Sequence, residues 1–127
     1  EPPANLPGLN LLPKLQAGTP IGRDMIFGES FAHNIADIEN PEGSLLKRWV
    51  IRDDHKLLLT YDGRHGNGYG SKFLSKDPAA QLYDLKADPH EMVNLAAQMP
   101  ELVTELGALI NAWYPLKERK VDSLPKP

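Results

Sequence analysis

The 127-residue chain contains no cysteine. Disulfides, thiol nucleophiles and thiolate metal sites are thereby excluded, while the redox compartment stays open. No apolar run approaches the roughly eighteen residues that a membrane-crossing helix needs, and no membrane partner is expected. Basic residues never run longer than Lys47-Arg48, and the net charge is −3. Nucleic acid is therefore not an electrostatically favoured partner. The four histidines (His33, His55, His65 and His90) never stand at the i, i+4 spacing of a helical zinc pair, and no His-Glu-x-x-His occurs. The acidic residues lack the alternation of a calcium loop, and there is no Gly-x-Ser-x-Gly nucleophile turn.

What remains is an ordinary globular composition, 41% hydrophobic and 24% charged. At this length one domain can hold a core without covalent staples. Twelve prolines crowd the two ends. Residues 1–20, "EPPANLPGLNLLPKLQAGTP", read as an extended, irregular arm, because proline removes an amide donor and disfavours helix in the residue before it. Its five leucines, from Leu6 to Leu15, are too many for a free linker. Either the arm lies across the domain and buries them, or that surface meets a partner domain. The opening Glu-Pro-Pro-Ala is neither basic nor followed by an apolar run, so it reads as the interior of a longer polypeptide.

Residues 21–116 carry the folded unit. "RDMIFGESF" suits a strand, with Gly28 permitting a bulge or a close approach. "LLKRWVIRDD" alternates Trp49 and Ile51 against Arg48, Val50 and Arg52. Asp53-Asp54-His55 marks a hairpin turn into a third strand, "KLLLTYDG". A long loop leads to a fourth, "AQLYDL". Short connections between successive strands predict one antiparallel sheet. Asp88-Pro89-His90-Glu91 has the pattern of a capped first helical turn. From Pro100, the positions Leu102, Leu106, Leu109, Ile110 and Trp113 make one apolar helix face, with Glu101, Glu105 and Asn111 turned away. Pro115 ends it. The fold class is α+β: a four-stranded antiparallel sheet packed against one long C-terminal helix. Residues 117–127 read as a flexible tail.

Candidate chemistry is sparse. "GNGYG" is no dinucleotide loop, because no helix pattern follows to receive a phosphate. It is better read as a hairpin loop, on which Arg64, His65, Tyr69 and Lys72 supply donors that suit an anionic substrate held over a neighbouring domain.

The order "LPGLNLLPKLQAG", "MIFGE", "KRWVIRDDHKLLLTYDG", "QLYDLKADPHEMVNLA" resembles the C-terminal end of the type I, arylsulfatase-like sulfatases of the alkaline phosphatase superfamily. The resemblance runs from about Leu6 to Trp113, and its most specific part is "LYDLKADPHEMVNLA". It implies the same α+β subdomain, non-catalytic by itself, whose principal partner is the catalytic domain of the same polypeptide. That domain would hydrolyse sulfate esters with formylglycine and a divalent cation, usually calcium. Formylglycine arises from a Cys/Ser-x-Pro-x-Arg motif, which this chain does not contain. In such a subdomain, loop residues help to select the group that carries the sulfate, and the candidates here are Glu29, His33, Asn34, Arg64 and His65. A periplasmic or secreted location is also implied. Two alternatives stay open: a free-standing module that binds carbohydrate or protein, and the same subdomain from a phosphodiesterase or phosphonate hydrolase. A surface left by a missing catalytic domain should expose Leu9, Leu11 or Leu12, or lead the isolated chain to self-associate.

Overall fold

The computed structural model describes residues 8–32, 38–61 and 80–116. Four strands form one antiparallel sheet in chain order: β1 (Met25–Phe31), β2 (Leu45–Arg52), β3 (His55–Thr60) and β4 (Ala80–Asp84). One face is covered by helix α2 (Pro100–Trp113). A short helix α1 (Leu12–Ala17) precedes the sheet, and a 3-10 turn at Pro41–Ser44 leads into β2.

The sheet is a meander because its connections are short or local. β2 and β3 are joined by the two-residue loop Asp53-Asp54, with Arg52 opposite His55. Asp53 takes a positive φ of 52°, which a short polar side chain tolerates and which fits the twist of a tight hairpin. Across the other pair, Gly28 stands opposite Trp49. A Cβ on Gly28 would fall inside the Trp49 indole, so the glycine serves the close approach. The register slip in this pair lies at Ser30/Phe31 instead.

The core joins Leu45, Val50, Leu57, Leu59, Tyr61, Ala80 and Leu82 to Val103, Leu106 and Ile110 of α2. The covered face of β2 is therefore the one carrying Val50, Arg48 and Arg52. Trp49 and Ile51 lie on the opposite, half-buried face. On α2 the buried stripe is Val103, Leu106, Gly107 and Ile110, with Leu102 and Leu109 packed at its flank.

Three local expectations are corrected. Leu12–Ala17 is helical rather than extended. Pro13 falls in the first turn, where its missing amide costs nothing, and Gly18 closes the helix in the left-handed region at φ 63°. Asp88 does not start a helical turn. The Glu91 amide donates to the Asp88 carbonyl, Glu91 itself sits at φ 55°, and the Asp88 carboxylate accepts from the Val93 amide at 2.8 Å. Finally, Asn111 and Glu105 are not turned away from the sheet, since both reach its arginines.

Asn94 shows why the segment between β4 and α2 is ordered. Its Oδ1 accepts from the Leu82 and Ala96 amides, its Nδ2 donates to the Ala80 carbonyl, and the Leu95 amide donates to Leu82. The outer edge of β4 is thus paired at Ala80 and Leu82, which reduces the open template for a foreign strand. Asp84 ends the strand by accepting from the Lys86 and Ala87 amides at 3.0 Å. Its carboxyl is held below its ordinary range, mainly by the Ala87 amide and further by the Lys86 amide and the His55 and Lys86 charges, against an opposing push from burial.

Candidate functional site

Of the residues singled out in the sequence, His33, Asn34, Arg64, His65, Tyr69 and Lys72 lie outside the described residues. Their stems are described. β1 ends at Phe31 opposite Leu45 at the start of β2, and β3 ends at Thr60 opposite Lys47. The connections that carry all six residues therefore leave the sheet from one end. Glu29 is exposed on β1, directly opposite Arg48.

That end of the sheet is braced by Arg48. Its side chain is 0% exposed. Nε donates to the Tyr61 hydroxyl at 2.7 Å and Nη2 to Asn111 Oδ1 at 2.8 Å. Nη1 donates to the carbonyls of Ile110 and Tyr114. Free carbonyls gather at a helix C-terminus and carry its partial negative charge, so a cation is favoured there. A guanidinium supplies several donors in fixed directions, which an ammonium does not. Tyr114, placed by this clamp, has its hydroxyl pushed up by burial and then by the charges of Glu42 and Glu29. At the other end of the same face, Arg52 reaches Glu105 at 2.8 Å. The two arginines thus tie α2 to β2 at its C-terminus and near its middle.

Fixing the last turn of α2 also fixes Trp113. The sequence places it on the buried stripe, yet it is 41% exposed and stacks on Phe27 with ring centroids 5.1 Å apart. The pair helps to wall an open cleft of about 550 Å³ lined by Gly8, Leu9, Gly22, Arg23, Met25, Phe27 and Trp113. Lys14 stands behind the Gly22 wall, 3.3 Å from where a Cβ on that glycine would be. Among the described residues neither Arg23 nor Lys14 is paired with a carboxylate; Lys14 makes only a 3.4 Å bond to the Pro20 carbonyl. The cleft was not foreseen from the sequence. The available signal was two cations flanking a glycine-broken segment, within reach of a tryptophan at the very end of an amphipathic stripe.

The chain's fit to the cofactors implied above is poor. It has no cysteine, and no serine heads Ser-x-Pro-x-Arg. Among the described residues, no group of three or more histidines and carboxylates converges to hold a metal ion. Neither formylglycine nor a divalent cation has a seat in them.

No family model matches the chain. Over 63 residues, half of its length, it is 35% identical to an N-acetylgalactosamine-6-O-sulfatase of Bacteroides thetaiotaomicron, spanning 12% of that protein. Its fold matches, over 89% of its length, a solved structure described as BT33336S-sulf from work on glycosaminoglycan metabolism by Bacteroides thetaiotaomicron, at 25% identity and a TM-score of 0.57, covering 21% of that chain. BT4656, solved with its substrate D-glucosamine-2-N,6-O-disulfate, matches over the same share at 24% identity and a TM-score of 0.57, with 20% of its chain covered; this second likeness speaks for the fold. Over these stretches the chain is similar to sulfatases. It corresponds to one α+β segment, about an eighth to a fifth of the length of these relatives.

Proposed function

We propose that these residues are the non-catalytic C-terminal subdomain of a sulfatase, a sulfuric ester hydrolase, seated beside a catalytic domain of the same polypeptide. The supporting observation is the combination of likeness and lack. The chain is similar to sulfatases across most of its fold, yet carries no formylglycine motif and no metal cluster among its described residues. The formylglycine and the calcium ion belong, on this reading, to the catalytic domain. The end of the sheet where the two long connections emerge faces the substrate pocket, so that His33, Asn34, Arg64 and His65 contribute to its wall, with Glu29 beside them. Arg48 acts beneath them as a positioning residue. The N-acetylgalactosamine-6-O-sulfatase named above supports a 6-O-sulfated amino sugar as the substrate class.

Sulfate release from N-acetylgalactosamine 6-sulfate by the full-length polypeptide, and none by the 127-residue chain, is the expected result. Sulfate release by the chain alone would overturn the reading. Full-length protein that cleaves a phosphodiester but no sulfate ester would move it to the phosphodiesterase relatives.

A further inference from the structure

The arm side of the molecule carries a second, unassigned feature. Leu9, Leu11, Leu12 and Leu15 are 42–68% exposed, and Trp113 and Ile21 are exposed with them. Several large apolar side chains left exposed on neighbouring segments favour an interface, and Leu9 and Trp113 among them line one cleft. This is the cleft walled by Phe27 and Trp113, bordered by the unpaired cations Arg23 and Lys14. Tryptophan and arginine around a partly enclosed pocket is the composition of an interface anchor, with leucines around it to exclude water.

Resting on the reading that a catalytic domain accompanies this subdomain, the geometry points to the Phe27–Trp113 cleft as the socket by which the two are held together. Its occupant is a segment of the catalytic domain that seats an apolar side chain on the two stacked rings and presents one or two carboxylates to Arg23 and Lys14. Three observations select this occupant. The cations have no acid of their own among the described residues, so an acidic partner gains where a basic one loses. The exposed leucines suit a polypeptide surface and have nothing to offer a free sugar. The matched sulfatases extend far beyond this segment, with only 12–21% of their length covered, which leaves ample chain to supply the partner. The socket lies at the start of β1 and the arm. The proposed substrate-facing connections leave from the other end of that strand, so docking does not close them off.

Hydrogen exchange, measured on the isolated chain and on the full-length polypeptide, tests this. Amides of residues 8–27 and 108–114 should exchange about tenfold more slowly, or better, in the full-length protein, because they open there only with the interface. Arg23→Glu with Lys14→Glu should abolish that added protection while leaving the isolated chain's unfolding midpoint nearly unchanged, since neither side chain has an ion pair among the described residues and Lys14 makes only a long, exposed bond to the Pro20 carbonyl. Full-length protein that releases sulfate yet shows no added protection at these residues overturns the socket and leaves the sulfatase reading intact. Added protection in a full-length protein without sulfatase activity keeps the socket and removes the sulfatase reading. Protection that appears in the isolated chain at high concentration, with a dimer mass, assigns the face to a second copy and overturns the proposal. Protection that appears only on adding a sulfated disaccharide overturns it in favour of a ligand site.

Discussion

The two flanks of the sheet are built on opposite terms. On the β4 flank the strand edge and the turns that follow are met within the chain, although Gln81 Oε1 stays buried without a partner among the described residues. Asn94 pairs the strand edge, Asp84 and Asp88 cap the turns, and Lys56 meets Glu91 at 2.7 Å. On the β1 flank the leucines are exposed and two cations are unpaired. Among the described residues, no strand pairs with the outer edge of β1. The difference teaches that self-sufficiency is local. A subdomain can be finished on one side and still offer, on the other, the surface by which it is held in a larger protein.

Substitutions break or sharpen this contrast. Arg48→Met keeps the bulk but removes the donors to the Tyr61 hydroxyl, Asn111 Oδ1 and the carbonyls of Ile110 and Tyr114. With these bonds to a buried cation lost, unfolding free energy should fall by about 3 kcal/mol, read by urea denaturation of the isolated chain. Gly28→Ala forces the Trp49 ring from its place and should cost about 2 kcal/mol. Adding Trp49→Ala should recover part of that loss, and strict additivity in the double-mutant cycle would show that the two residues do not touch. Asn94→Ala unpairs the β4 edge at the Leu82 amide and the Ala80 carbonyl and frees the Ala96 amide, for an expected loss of about 1–2 kcal/mol. The smallest effect belongs to the other flank. Leu12→Ser with Leu15→Ser should shift the isolated chain by no more than about 0.5 kcal/mol, whereas a loss of several degrees in its melting temperature would show that these leucines support their own domain.

Much of the fold was legible because it is written in local patterns. The strands around "MIFGESF", "KRWVIR", "KLLLT" and "QLYD" announce themselves by alternation and turn residues, and Pro100 and Pro115 bracket the long helix. The misreadings share a cause: each depends on something distant. The alternation of β2 puts Arg48 on one face with Val50 and says nothing of what answers its charge. The acceptors at Tyr61, Ile110, Asn111 and Tyr114, 13 to 66 positions along the chain, make its burial tolerable. Pro13 looks like a helix breaker until Gly18 closes a turn after it. Asp88 does cap an amide, but that of Val93, because Glu91 turns left-handed so that its side chain can reach Lys56. The site is harder still to read, since the cleft draws on the arm, β1 and the end of α2, and no motif spans them.

The Arg48 clamp has a consequence for synthesis. The guanidinium emerges from the ribosome with β2, but its last acceptor, the Tyr114 carbonyl, follows 66 residues later. Until the end of α2 emerges, the guanidinium lacks the acceptors there and keeps only the Tyr61 hydroxyl. Completion of the clamp therefore waits for Tyr114, and a chain cut before it leaves Arg48 without that carbonyl.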